Sequence, residues 1–231
     1  MIGNQIAPTE HFDIVYVSQH APFEIPNSEV KFFFEHKSFT AEEFYIIEQK
    51  VVHFLAAHSK QTNQSFAVLG KRTDSVSYER EFFVSAAGPV KVHFIPRTSE
   101  TSTYEFCNSA SLIVTADSTI GYESLSIVKR VAFMSGRTQS ADPVGLAQIR
   151  DTNFGYPLDL PAHGNFWTNQ ATATELTRIL DYLQAVTDKE WATEIAPYNE
   201  SLMAYQPGNP VFKKLLLDLG LTLIDGVKSD A

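Results

Sequence analysis

The stretch SLIVTADSTIGYESLSIVKRVAFMS, Ser111–Ser135, decides the fold. It opens on a short apolar run at Leu112–Val114, passes through a polar turn into helix-forming residues, and returns to an apolar run at Arg130–Met134. Strand, turn, helix and strand in so short a span predict a parallel crossover unit. In that unit the turn lies at the carboxyl edge of a sheet and opens the helix. Asp117, Ser118 and Thr119 are residue types that cap a helix start, and the amides behind them attract anions. Glu123 follows Thr119 by one helical turn and shares the face of the turn hydroxyls. A phosphate held at Ser118 and Thr119 leaves Glu123 within reach of a sugar hydroxyl, which is the chemistry of a nucleotide handle.

Working outward, the chain upstream alternates strands and helices. His11–Ser18 (HFDIVYVS) fills with β-branched and aromatic residues and predicts a first strand. Gln19–Ser38 carries Pro22, Pro26 and several aromatics and predicts a long surface loop. Within it Phe32, Phe33 and Phe34 cannot all face one core, so Phe23–His36 is a candidate docking patch. Thr40 with Glu43 forms a capping box for a helix to about Ser59, and Ser65–Leu69 predicts a second strand. A helix from Ser75 or Ser77, with Val76, Phe83 and Ala86 inward, leads to a third strand at Val90–Ile95, stopped by Pro96. Thr101–Ser109 predicts a short helix into the central unit.

Downstream of Gly136 the periodicity lapses until Thr172–Val186, where Leu176, Ile179, Leu180 and Leu183 form one stripe. Asp188 is the expected cap of the next helix, running to about Tyr205 with a bend near Pro197. Pro210 opens a last helix with Phe212, Leu215, Leu216 and Leu219 on one side. The alternation predicts an α/β, Rossmann-like parallel sheet of about five or six strands, with helices on both faces and a C-terminal helical appendage. Residues 1–10 read as a lead-in, 11–225 as one domain and 226–231 as a tail.

Composition narrows the function. Hydrophobic residues are 44% and charged residues 19% of the chain, which predicts a folded globular protein. With 18 basic and 27 acidic residues the net charge is −9, so nucleic acid is not an expected partner and an anionic ligand needs a local basic pocket. The single Cys107 has no partner for an internal disulfide. No apolar run approaches the ~20 residues of a membrane helix, and no leader pattern opens the sequence, so the cytoplasm is the expected compartment.

Ligands of open parallel sheets bind outside the carboxyl ends of the strands. Expected strand ends carry Lys71 and Arg72, then Arg97, then Arg137. Each alone is more often a solubility charge. Together with the Ser118–Thr119 turn they outline one anion pocket, with Arg97 and Arg137 the first candidates for a diphosphate. Glu123 is the candidate for hydroxyl recognition, and Asp117 positions the turn or acts on the donor. His20 is a candidate acid/base or phosphate contact, and more often a loop residue; His93 reads as a core histidine. Trp167 and its neighbours suit either stacking or stapling a helix. No Ser-His-Asp order, HExxH, CxxC or P-loop occurs, and no catalytic residue can be named.

These residues carry a resemblance. The segment resembles the donor-nucleotide-binding half of GT-B glycosyltransferases, in which a strand leads through a hydroxyl turn into a helix bearing a ribose-binding Glu. TADSTIGYESL followed by KRVAFMSGR is similar to bacterial surface-carbohydrate (O-antigen) biosynthesis transferases. The likeness extends to HFIPRTSETSTYEF, NFGYP, GNFWTN and LMAYQPGNPVF, and so covers most of Val90–Leu219. One departure stands out: such helices end in Gly, where this chain has Val128 and Lys129. The resemblance implies a glycosyltransferase, or its nucleotide-sugar-binding half, in surface polysaccharide assembly. The donor sugar, hexosyl or sialyl/Kdo-type, stays open. It implies a nucleotide-sugar donor held by Ser118, Thr119, Glu123, Arg97, Arg137, Lys71, Arg72 and Asp117, with no cofactor and no bound metal. A second acceptor-binding domain or a homo-oligomer would complete the enzyme. The alternatives are a non-catalytic nucleotide-sugar binding module and a relative of the nucleotide-sugar epimerases.

Overall fold

A computed structural model describes residues 10–20, 28–34, 37–72, 77–136, 153–203 and 210–221. The chain's first strand, β1 (Ile14–Val17), is followed by a hairpin of β2 (Lys31–Phe34) and β3 (Lys37–Thr40), then α1 (Ala41–Thr62). Next come β4 (Phe66–Leu69), α2 (Ser77–Ala87), β5 (His93–Ile95), α3 (Ser102–Ser109), β6 (Leu112–Thr115), α4 (Thr119–Ser126) and β7 (Val131–Met134). β8 (Trp167–Thr168), α5 (Ala173–Ala185), α6 (Asp188–Leu202) and α7 (Pro210–Asp218) complete the order.

Six strands form one sheet in the order β5-β4-β1-β6-β7-β8, every pair parallel. β1 sits at the centre, with Tyr16 opposite Val68 on one side and Val114 on the other. The chain thus builds outward from β1 in one direction, then returns to β6 and builds in the other. That reversal between β1 and β6 is the topological switch point, where the carboxyl ends of an open sheet leave a crevice. Helices α1, α2 and α5 pack on one face, and α3, α4 and α6 on the other. β1, β4, β6 and β7 are buried along their whole length, which is why they read as unbroken apolar runs rather than alternating ones. Among the described residues no helix is long and apolar enough to cross a membrane.

The central unit forms as its sequence predicts: β6 and β7 are neighbouring parallel strands, and α4 starts at Thr119 behind the cap residue Ser118. Gly121 lets α4 approach the sheet closely, since a Cβ there would meet Thr115 Cγ2 at 2.7 Å and Phe133 at 3.0 Å. The Thr40–Glu43 capping box is present, and α1 runs on to Thr62, where Asn63 takes the left-handed conformation (φ 55°).

The helix end that departs from the family pattern has a specific geometry. Lys129 N donates to Ser124 O (3.0 Å) and Val128 N to Leu125 O (2.9 Å), a Schellman closure. It requires a left-handed residue, and Val128 supplies it at φ 68°. A β-branched side chain is strained there. The Trp191 indole N–H donates to both Val128 O (3.1 Å) and Lys129 O (3.2 Å) and holds the turn shut.

Several expectations are corrected. The expected loop Gln19–Ser38 runs into the antiparallel β2–β3 hairpin, with Phe32 paired to Phe39 and its ring tilted against that of Phe44 at 5.1 Å, while Phe33 is 77% exposed. Alternation along a strand resolves the Phe run. β5 is shorter than Val90–Ile95, and His93 lies exposed on this edge strand with its ring against Phe12, not in the core. α6 is capped by Thr187, whose hydroxyl exchanges bonds with Glu190, while Asp188 enters the helix and pairs with Arg130 at 2.7 Å. GNFWTN supplies the sixth strand, with Trp167 opposite Phe133. α7 starts at Pro210, yet none of its residues is buried, and Phe212, Leu215 and Leu219 face water. Val76, Tyr205, the tail 226–231 and the lead-in before Glu10 lie outside the described residues.

Candidate functional site

The carboxyl edge of the sheet has two parts, built in different ways. On the first, the strand ends of β1 and β4 are tied by two buried carboxylates. Glu79, on α2, accepts a bond from Ser18 Oγ at 2.5 Å and from the Lys71 amide at 2.9 Å. Burial pushes its carboxyl up, against the pull of those donors and of Lys71. Glu48, on α1, accepts the Gln19 amide at 3.1 Å and is wholly enclosed. His20 is also wholly enclosed, its ring 4.4 Å from that of Phe82 and 4.7 Å from that of Tyr45. Burial first, and then the Lys71 charge, lowers its pKa to about 4. A neutral imidazole packed between rings is a core residue, so His20 is neither an acid/base group nor a phosphate contact.

Side chains from both strands tie the switch point together. Gln19 Oε1 accepts the Asp117 amide at 3.1 Å, which fixes the β6 turn against the β1 loop. Thr115 Oγ1 accepts the Ser118 amide (3.2 Å) and donates to Val17 O (3.3 Å). The turn is therefore set by its neighbours. Ser118, in extended conformation, makes no side-chain bond to the helix amides behind it. Its hydroxyl and the Thr119 and Ile120 amides remain at the edge for an anion, while the Gly121 amide donates to Ser118 O at 2.8 Å. Ser118 and Asp117 are half-buried and Thr119 is exposed.

On the second part, three elements converge. Arg97 follows β5, and its amide bonds to Arg72 O (3.0 Å), so the two arginines share one backbone ladder at the edge. Arg97 Nε donates to Ser99 O at 3.1 Å. The turn after it is knit by its own hydroxyls: the Thr98 and Ser99 amides donate to Ser102 Oγ, and the Ser102 amide donates to Ser99 Oγ. Tyr104 stands in the first turn of α3, half-buried and near enough to Glu123 of α4 for that carboxylate to bear on its phenol. Burial, then the Glu123 charge, pushes the phenol up, and the nearby Arg97 charge opposes this.

Of the expected site residues, Arg97 and Glu123 both lie near enough to Tyr104 for their charges to shift its phenol, in opposite senses. Asp117, Ser118 and Thr119 form the turn that opens α4. Lys71 and Arg72 lie exposed at the β4 end, joined to Arg97 by the Arg72 carbonyl. Arg137 lies outside the described residues. Beside α4, Tyr122 accepts the Gly155 amide at 2.9 Å, which docks the NFGYP segment onto the helix carrying Glu123. Among the described residues no group of three or more His, Cys, Asp or Glu side chains is placed to hold a metal ion.

Sequence reasoning missed Tyr104, Gln19, Glu48 and Glu79. The two acids did leave a signal, since Glu48 follows Ile47 on the buried side of α1 and Glu79 falls on the side of α2 that also buries Phe83. Two surface grooves lie away from this edge. One, of about 740 Å³, runs between α1, α2 and the start of α5 past His53 and Phe54; the other, of about 970 Å³, runs between α5 and α6 past Tyr182 and Tyr198. Neither is lined by any residue of the turn or of the Arg97–Tyr104–Glu123 cluster.

No curated protein matches the chain. Among solved structures it is similar to the UDP-GlcNAc 2-epimerase from Neisseria meningitidis bound to UDP-GlcNAc. The identity is 12% and the TM-score 0.44, over 90% of this chain and 45% of that one. The chain spans less than half the length of that structure. The model of a family described as "putative O-antigen biosynthesis protein" matches residues 5–219. That match takes in every described element except the last residues of the chain, and the chain belongs to this O-antigen biosynthesis family.

Proposed function

We propose that this chain is the nucleotide-sugar-binding half of a glycosyltransferase of surface-polysaccharide assembly. The observation that carries the reading is the arrangement at the switch point. The start of α4, with no side-chain cap, stands at the edge where Arg97 and Glu123 both lie near enough to Tyr104 for their charges to bear on its phenol. The Thr119 and Ile120 amides at the start of α4, Ser118 and Arg97 bind the donor's phosphates, and Glu123 accepts hydroxyls of its ribose. Lys71 and Arg72 add positive charge along the same edge, and Asp117 holds the turn. In transfer, the sugar's anomeric carbon leaves a phosphate oxygen for an acceptor hydroxyl. The departing phosphate then carries the charge that the helix amides and Arg97 stabilise. The acceptor is held by a second domain or a second copy, and membership of the O-antigen family supports this place in the cell's chemistry.

Calorimetric titration against UDP-, GDP-, CMP- and dTDP-sugars tests the reading. One class binds, and Glu123→Ala weakens that binding by about 1–3 kcal/mol, as for a lost hydrogen bond to a charged group. A folded chain that binds none of them refutes it.

A further inference from the structure

α7 buries none of its nine residues. A lone helix shorter than ~12–15 residues is marginal in water, so one this short holds its form by packing. Val211, Phe212, Leu215 and Leu219 recur at helical spacing along one side, and each is more than half exposed. That side is built to be covered.

Charge selects the covering surface. α7 carries Lys213 and Lys214 near its start and Asp218 at its end, with Lys214 and Asp218 paired at 2.7 Å while the helix stands free. The groove between α1, α2 and α5 offers Lys50 and no acid, and would repel the lysines. The groove of about 970 Å³ between α5 and α6 offers Val186, Pro197 and the rings of Tyr182 and Tyr198, with Lys189, Glu190 and Glu194 beside them. Laid antiparallel to α6, α7 sets its lysines against Glu194 and Glu190, and Asp218 against Lys189. The groove of the same chain does not offer this match. A hairpin return from Leu202 to Pro210 runs one residue back along α6 for each residue forward along α7. That register sets Asp218 opposite Glu194, like charge against like. A second copy is free of it, and each copy has both a helix to give and a groove to receive one.

We propose that two copies of this chain associate by seating α7 of each in the α5–α6 groove of the other, which covers both apolar sides and closes a two-fold dimer. The groove lies away from the carboxyl edge, so this pairing and the nucleotide-sugar reading stand or fall separately.

Sedimentation velocity on the full chain, from micromolar to hundreds of micromolar, tests the pairing. The chain passes reversibly from monomer to dimer as concentration rises. Phe212→Asp with Leu215→Asp, both at unburied positions, leaves the chain folded by circular dichroism and weakens the dimer at least about a hundredfold. Lys213→Glu weakens it by about tenfold, since one attraction becomes a repulsion in each groove, and Glu194→Lys does the same. The two together in one chain restore it. A chain that stays monomeric throughout overturns the proposal. Protection of α7 from proteolysis in that monomer would then place it in its own groove, and co-sedimentation with anionic lipid vesicles would assign it to a membrane surface. A dimer indifferent to the Phe212 and Leu215 changes, or not rescued by the charge swap, has its interface elsewhere and overturns the proposal equally.

Discussion

The two parts of the carboxyl edge carry similar charges and treat them in opposite ways. Where β1 and β4 end, Glu48, Glu79 and His20 are enclosed and bonded into the fold. Where α3 meets α4, Arg97, Tyr104, Ser118 and Glu123 are half-buried, with at least one side open to water. A buried carboxylate costs stability unless its donors are in place, so its removal acts on folding. A half-exposed one is screened, contributes little to folding, and is free to exchange water for a ligand. Burial, more than residue type, separates the charges that build this edge from those that face a ligand.

The largest effect expected on the enclosed part is a pH dependence. His20 titrates at about 4 in the folded chain, against 6.5 for an unperturbed histidine. Between those values the unfolded state binds a proton that the folded state refuses. Stability therefore falls as pH drops through the window, by about 3 kcal/mol in full. Urea midpoints measured from pH 7 to pH 4 should show the fall, and His20→Phe should flatten it. An unchanged slope in that variant would place His20 with the open part after all.

Next in size is Glu79→Ala, which strands the Ser18 hydroxyl and the Lys71 amide and should cost about 2–3 kcal/mol at pH 7. The sign with pH is opposite to that of His20. Burial raises the Glu79 pKa, so just above pH 4.5 the folded chain holds a proton that the unfolded one releases. Wild-type stability from this group declines as pH rises through that window. The gap between Glu79→Gln and wild type should then widen in favour of the variant.

Arg97→Ala probes the open part. Phosphate binding should weaken by about 1.5–3 kcal/mol, while stability changes by less than about 1 kcal/mol. Loss of stability with affinity intact would make the two parts alike and dissolve the contrast between them. The smallest effect is expected at the other end of α4, remote from both. Val128→Gly relieves a left-handed β-branched residue, and after the entropy cost of glycine should raise stability by about 0.5–1 kcal/mol, with ligand affinity unaltered. Thermal melts and titrations of the same preparation would show whether affinity and stability are independent along this helix.

Much of the fold was legible because it is local. The apolar runs at β1, β4, β6 and β7 and the Thr40–Glu43 box each announce an element within a few residues. β8 escaped because a two-residue strand is made by its pairing to β7, not by its own pattern. The hairpin escaped because its aromatics and the prolines before it read as one loop, and its register depends on which Phe meets Phe44. The turn at Ser118 was readable for the same local reason as the helix behind it. Tyr104 was not, because its meaning lies in its nearness to a residue on another helix. Glu79 was missed for a related reason: an acid near a helix start looks like a dipole partner until its burial is known.

The bridge from Gln19 to Asp117 has an electrostatic consequence. An aspartate or glutamate at position 19 would offer the same acceptor to the Asp117 amide and hold the turn as well. It would also set a full negative charge on the floor of the crevice, in a chain whose net charge is already −9. At ~4 Å that charge would oppose a phosphate by about 1 kcal/mol in water and about 4 kcal/mol at a partly enclosed site. A neutral amide closes the turn and adds no charge to those of Glu48, Asp117 and Glu123 nearby. In an acidic protein, glutamine rather than glutamate at this position spares the crevice one further negative charge.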